Sequence, residues 1–256
     1  MNAKHTLSKV SVITIVYNAV DTIENTIQSV IEQTYPNIEY IIIDGGSTDG
    51  TLQIIEQYKN SISNIITGPD KGIADAFNKG IALATGDWIG MINADDWYAY
   101  NAIERVMLNV SANDTICCGN LTLIGENGFA LCKKSKVRWL NLGMYVMHPT
   151  CFVRKEVYQR IGLYDTSLKI AVDFDMFLRI KSRGFKIKYI KEMIAFMRTG
   201  GTSSNVVQMH QEELIVMRRH LHHLLYLTSA SFNYLNRLRW RFFYQNPFVH
   251  TQDINL

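Results

Sequence analysis

The chain has 256 residues, 47% hydrophobic and 19% charged, which suits one large folded domain or one domain with an appendage. A formal net charge of only +3 gives no bulk electrostatic case for nucleic acid, and none is expected as a partner. No apolar signal core opens the sequence, and no uninterrupted apolar run approaches the about 18 residues that span a bilayer, so a cytoplasmic protein is expected.

Residues 10–16, dense in Val and Ile, read as a buried strand. Asp21-Thr22-Ile23-Glu24 then supplies a helix start with Asp21 as cap, and Ile23, Ile27, Val30 and Ile31 mark one helical face. Residues 38–43 form the second strand and end at Asp44-Gly45-Gly46. Asp49 can cap the next helix, whose apolar positions are Leu52, Ile55 and Tyr58. Residues 62–67 read as a third strand, 72–84 as a helix stopped near Gly86, and 88–92 as a fourth strand. Strands and helices alternating at this spacing predict an α/β fold with a mostly parallel sheet covered on both faces.

In such sheets ligands sit beyond the carboxyl ends of the strands. Tyr17-Asn18 follows the first strand, Asp44 the second and Asn93-Ala94-Asp95-Asp96 the fourth, so one edge collects polar groups. Two adjacent carboxylates repel each other, and keeping both ionised calls for a cation or a donor-rich ligand. An ordinary polar turn is the plain alternative.

Beyond residue 110 the pattern loosens. Residues 115–123 and 129–137 read as strands paired around Gly125-Glu126-Asn127-Gly128, and 144–153 as a further strand containing His148-Pro149-Thr150. A short helix follows near 155–161. Another begins at Asp173-Phe174-Asp175, with Phe174, Phe177 and Leu178 facing inward. Cys117, Cys118, Cys132 and Cys151 lack paired metal-ligand spacing and read as reduced thiols. From Glu212 onward apolar and basic residues alternate at helical spacing: Leu214, Met217, Leu221, Leu224 and Leu225, then Leu235, Leu238, Trp240, Phe242 and Phe243 among Arg237, Arg239 and Arg241. That composition suits an anionic membrane surface, and equally a helix packed on the domain or on a second copy.

Five pieces in order resemble the inverting glycosyltransferases of family 2, which adopt the GT-A fold. They are Ser11-Val12-Ile13-Thr14-Ile15-Val16-Tyr17-Asn18; Ile43-Asp44-Gly45-Gly46-Ser47-Thr48-Asp49-Gly50-Thr51; Asp70-Lys71-Gly72 through Asn78-Lys79-Gly80 to Ala84-Thr85-Gly86-Asp87; Asn93-Ala94-Asp95-Asp96; and Asp173-Phe174-Asp175. Within the family, the likeness is greatest to bacterial enzymes that assemble O-antigen and related surface polysaccharides. The resemblance implies a single Rossmann-like GT-A domain over residues 1–204, with a nucleotide-sugar half to about 97 and an acceptor half from about 98. A helical extension over 205–256 completes the chain.

The resemblance also implies roles. Asp44 would read the imide N–H of uracil, Tyr17 would pack on the base, and Lys71 would approach the base or phosphates. Asn93 and Asp95 would contact the donor, with Asp95 and Asp96 holding Mn²⁺ or Mg²⁺. The family's acidic motif usually begins with Asp, where this chain has Asn93. Asp173 matches the general base, with a plain helix cap as its alternative; the family's preceding Glu is replaced by Val172. His148 and Asp175 are acceptor-side candidates, and residues 200–204 resemble a loop that closes over donor phosphates. The expected reaction moves a hexose, glucose or galactose, from a UDP-linked donor. The acceptor would be a GlcNAc or GalNAc carried on a polyprenyl diphosphate at the inner membrane surface, and the new linkage β. A catalytically weak scaffold of the same fold is the main alternative. A nucleotidyltransferase fits less well, because Tyr17-Asn18-Ala19-Val20 is not a glycine-rich basic loop.

Overall fold

The computed structural model describes residues 7–125, 128–200 and 205–245, the side chains of 236–245 excepted. Strand β1 (Val10–Val16) is buried along its whole length, the pattern of a parallel strand covered on both faces. It lies between β2 (Ile38–Asp44) and β4 (Trp88–Asn93), both parallel to it, and β3 (Asn64–Thr67) adds to β2. Beyond β4 the sheet becomes mixed. It continues through β8 (Phe152–Arg154), β6 (Ile116–Ile124), β9 (Ile187–Arg198) and β5 (Trp97–Tyr98). Strand β7 (Ala130–Lys134) pairs antiparallel with β6, the hairpin anticipated around Gly125–Gly128.

Side chains of β1 alternate between two cores. Ile13 and Ile15 join Phe77 and Ile81 of α3 (Ile73–Leu83) and Phe174 and Phe177 of α6 (Val172–Ser182). Val10, Val12 and Val16 join Ile23, Ile27 and Val30 of α1 (Ile23–Ile31), Ile55 of α2 (Thr51–Gln57) and Ile103 and Val106 of α4 (Ala102–Asn109). Helix α5 (Lys155–Ile161) follows β8, and α7 (Val206–His220) and α8 (His223–Gln245) end the described chain. Val216 and Met217 of α7, both fully buried, enter the α3–α6 core. Among the described residues no helix is long and apolar enough to cross a membrane.

Three local expectations are corrected. Asp21 does not cap α1: the N-cap is Thr22, which makes no side-chain cap bond, and the Thr22 and Ile23 amides both donate to the carbonyl of Ala19. Asp49 stands one residue before the N-cap of α2, which is Gly50 at φ 107°. From there its Oδ1 takes the Thr51 amide at 3.0 Å while Oδ2 takes the Val20 amide at 3.0 Å, so it ties the β1–α1 loop to α2. Residues 144–153 are not one strand. His148–Thr150 closes a 3-10 turn through Thr150 N to Met147 O and Cys151 N to His148 O, and only Phe152–Arg154 joins the sheet. Pro149 has no N–H to give a ladder and breaks the run.

Gly80 brings α3 close to β1. A Cβ at this position would lie 2.4 Å from Cγ2 of Ile13, a fully buried side chain. Alanine is ordinarily the better helix former by about 1 kcal/mol, but overpacking of a closed core costs about 1–3 kcal/mol. Gly80→Ala is therefore expected to lower unfolding stability, measured by denaturant titration; a gain in stability would refute the close approach.

Candidate active site

Register brings the predicted edge together. Val16 pairs with Asp44 and Ile15 with Asn93, so the segments after β1, β2 and β4 leave the sheet at one level. Tyr17 is 64% exposed there, a large aromatic face open to solvent. Asn18 adopts φ 47°, and its Oδ1 takes the Thr48 amide at 2.9 Å while its own amide donates to Ser47 Oγ at 2.8 Å. The loops after β1 and β2 are thus laced to each other.

Asp44 is fully buried. Its Oδ2 accepts the Gly46 and Ser47 amides at 3.0 and 3.1 Å, so this carboxylate holds its own turn. Between Asp44 and that turn lies Gly45, where a Cβ would sit 2.7 Å from Asp70 Oδ2 and 3.3 Å from the Tyr17 ring. Asp70 bonds the Gly72 amide through Oδ1 at 2.8 Å. It is a further candidate at this edge, marked in the sequence only by its place just before Gly72, which caps α3. Lys71 is exposed, its amide bonded to Asp75 Oδ2 at 3.1 Å and its carbonyl to Lys169 Nζ at 3.3 Å.

The acidic strand end divides into unlike members. Asp95 remains partly exposed, and Asn93 Oδ1 is a buried oxygen with no hydrogen-bond partner among the described residues. Asp96 is turned into the protein at 1% exposure. Its Oδ1 takes the Arg198 amide at 3.2 Å and its Oδ2 is buried with no hydrogen-bond partner among the described residues. Burial pushes this carboxyl up to about 8, with repulsion from Asp95 adding to it. Asp96, expected as a metal ligand beside Asp95, is thus buried and more basic than an ordinary carboxyl. Thr26 of α1 holds the turn, its Oγ1 lying 2.9 Å from the Ala94 carbonyl and 2.6 Å from that of Asp96.

Among the described residues no group of three or more His, Cys, Asp or Glu could by itself hold a metal. The donors present still fit a cation of the Mg²⁺ or Mn²⁺ type. Such ions commonly take one or two carboxylates and complete their shell with substrate phosphates and water. Asp95 supplies one open carboxylate, and the partnerless Asn93 Oδ1 supplies a neutral oxygen beside it.

A second wall of candidate residues is built on α6. Asp173 lies in its first turn, half-buried, with Oδ1 on the Phe174 amide at 2.7 Å. Burial pushes its carboxyl up to about 7, with the charge of Glu213 adding to it against the pull of the Phe174 amide. Nearby, His148 bonds the Tyr164 hydroxyl at 3.0 Å and packs against Phe77 and Phe177. That apolar setting pulls the imidazole down to about 4, so it is neutral at physiological pH. The Tyr164 hydroxyl also sits 3.6 Å from Met91 Sδ, which links this wall to β4 two residues before Asn93. Asp175 belongs elsewhere: it is 3% exposed and paired at 2.8 Å with both Arg179 and His220. It fastens α6 to α7. The expectation for residues 201–204 lies outside the described residues, as do those for the side chains of 236–245.

The family model described as Glycosyl transferase family 2 matches residues 11–162. A chondroitin synthase of Pasteurella multocida is 27% identical over 198 residues, which cover 74% of this chain but only 20% of that protein. An uncharacterized glycosyltransferase of Rickettsia prowazekii is 29% identical over 221 residues, covering 79% of this chain and 69% of the relative. A mycobacterial PGL/p-HBAD biosynthesis glycosyltransferase, from Mycobacterium bovis, is 27% identical over 71% of this chain and 73% of its own. Among solved structures, S. aureus TarS 1-349 in complex with UDP-GlcNAc superposes with a TM-score of 0.68 at 19% identity, covering 90% of this chain and 72% of that one. Mannosyltransferase PcManGT from Pyrobaculum calidifontis, in complex with GDP-Man and Mn²⁺, gives 0.62 at 16% identity, covering 93% and 76%. At these identities the structures establish a shared fold, the GT-A arrangement that the sequence resemblance implied.

Proposed function

Because this chain belongs to glycosyl transferase family 2, we propose that it is an inverting hexosyltransferase. It would use a UDP-linked glucose or galactose and extend a GlcNAc or GalNAc diphosphate-lipid during O-antigen or related surface-polysaccharide assembly. The observation that carries the inverting reading is Asp173, a half-buried carboxyl raised to about 7 in the first turn of α6. A base is most effective with a proton affinity near the working pH.

The donor's base lies against the exposed Tyr17 ring, and Asp70 Oδ2 is the open carboxylate oxygen beside it, since those of Asp44 are committed to their turn. Asp95, with the Asn93 amide oxygen, would hold a divalent cation at the diphosphate, where it supplies Lewis-acid stabilisation of the leaving group. The acceptor hydroxyl attacks the anomeric carbon from the face opposite the diphosphate. As the new C–O bond forms and the bond to phosphate breaks, the hydroxyl proton passes to Asp173 Oδ2, and UDP leaves. Inversion follows from the single displacement.

Lipid-linked acceptors call for contact with a bilayer, and α8 supports this with Leu224 at 76%, Leu227 at 47% and Leu235 at 60% exposure. Flotation with vesicles containing anionic lipid checks it: Leu224→Ser with Leu227→Ser is expected to weaken binding, and unchanged flotation removes this surface from the account.

Asp173→Asn is expected to abolish transfer, about 10²–10⁴-fold in kcat, while leaving UDP affinity unchanged. In the parent protein kcat/KM should rise with pH through about 7 and level above it, because only the ionised carboxylate accepts a proton. Turnover near the parent rate in the variant would sink the base assignment. Binding of UDP without turnover of any nucleotide sugar, on a screen with a GlcNAc-diphosphate-lipid analogue, would favour a scaffold. Asp95→Ala should remove the dependence of UDP affinity on Mn²⁺ or Mg²⁺ seen by titration calorimetry. A dependence that survives the substitution would locate the cation elsewhere.

A further inference from the structure

Helix α6, which carries Asp173, begins without a cap of its own. Its N-cap residue is Ala171, whose side chain has no acceptor. In the segment that leads into the helix, the amides of Lys169, Ile170 and the N-cap Ala171 converge on a single atom. Glu212 Oε2 receives them at 3.0, 2.8 and 3.0 Å. Glu212 comes from α7, 41 residues after Ala171, and is 8% exposed. Its other oxygen takes Gln208 Nε2 at 3.1 Å, so the side chain is fixed from both ends. Charge-assisted bonds from three consecutive amides to one carboxylate make a rigid joint. The amides hold Glu212 in its ionised form, with its carboxyl below the usual range despite burial.

We propose that Glu212 is a positioning residue for proton transfer: by capping α6 from α7 it fixes the backbone two residues before Asp173 and so sets where that carboxylate meets the acceptor hydroxyl. This rests on the reading of Asp173 as the base. The segment is pinned at two further points, Arg219 Nη1 of α7 on Asp165 Oδ2 at 2.8 Å and Lys169 Nζ on the Lys71 carbonyl at 3.3 Å. The second joins the capped loop to the residue beside the donor edge. Next to Glu212, Glu213 is 7% exposed, holds Asn233 Nδ2 of α8 at 3.0 Å and repels a negative charge on Asp173. Among the described residues, Tyr164 also faces Asp173, its hydroxyl made harder to ionise by burial and further by the Asp173 charge, with His148 beyond it; Asp175 is turned to Arg179 and His220. Burial is the main reason Asp173 is basic, and the charge of Glu213 adds to it.

The test compares variants of the full chain for kcat, KM, UDP affinity, pH profile and melting temperature. Glu212→Ala is expected to lower kcat on the order of 10–100-fold with UDP affinity unchanged. Glu212→Gln keeps an acceptor oxygen and is expected to recover most of the loss, whereas Glu212→Asp withdraws the oxygen by one methylene and is not. Val216→Ala, a core truncation in the same helix, controls for stability alone. If Val216→Ala, at a comparable loss of melting temperature, lowers kcat as much as Glu212→Ala, the positioning role is overturned. Should Glu212→Ala not fold, Glu212→Asp decides: a parental kcat there overturns the role equally. Glu213→Gln should move the acid limb of the pH profile to lower pH, and an unmoved limb removes Glu213 from the site. Turnover retained by Asp173→Asn defeats the base assignment itself; turnover lost there but kept by Glu212→Ala and Glu212→Asp defeats only the capping proposal.

Discussion

Everything at the donor edge depends on how β1 is registered between its two parallel neighbours. Seven residues of β1 pair with β2 and six with β4, and this sets Val16 beside Asp44 and Ile15 beside Asn93. A slip of one residue would reverse every side chain of β1 between the two cores. Ile13 and Ile15 would leave the α3–α6 core, while Val10, Val12 and Val16 would leave the α1–α2–α4 core. Hydrophobic burial on both faces therefore locks the register. The locked register in turn brings Tyr17, Gly45 and the acidic strand end to one level, with only Ala94 of these contributing to the core.

Four aspartates show how the surroundings, and not the residue type, assign chemistry. Asp95 and Asp96 are adjacent, yet one stays partly exposed while burial raises the carboxyl of the other. Asp173 and Asp175 are two apart on one helix and diverge for the same reason. Asp173 meets a single amide and an acidic neighbour, so burial dominates and its carboxyl rises. Asp175 is also penalised by burial, but His220 and Arg179 outweigh that and pull it down. One becomes a group that can take a proton near neutrality, and the other a permanent ionic fastening.

The parts of this picture that were legible in the sequence are those encoded locally. The α/β alternation of the first hundred residues was readable because each element buries a face with its own period, and the strand-end groups followed from that. Where the run of 144–153 looked like a strand, one proline turned it into a 3-10 turn, and β-rich composition had concealed this. The caps failed for a related reason: Asp21 has the right residue type, but the Ala19 carbonyl already closes that turn. Glu212 and Glu213 were unreadable because Glu212 holds backbone amides 41 to 43 residues away, which carry no mark in a sequence, and Glu213 holds Asn233, 20 residues on. What could have signalled them is their place on the same face as Val216, one helical turn on, where two glutamates would otherwise stand unpaired in a core.

That difference runs along the chain in a telling way. The stretch matching the family model ends at residue 162 and contains the three strand ends that would face the donor under the proposed reading. Asp173, Glu212 and Glu213 all lie beyond it. The donor edge is made by main-chain register, which tolerates change in individual side chains so long as the strands stay apolar. The wall bearing Asp173 is made instead by a few polar side chains reaching across helices, and each has no substitute nearby. A fold built this way can keep its nucleotide site while the acceptor wall is remade by shifting α7 and the loop it caps. Under the proposed reading the C-terminal helices therefore bear on this chain's choice of acceptor, because α7 fixes the segment that leads to Asp173.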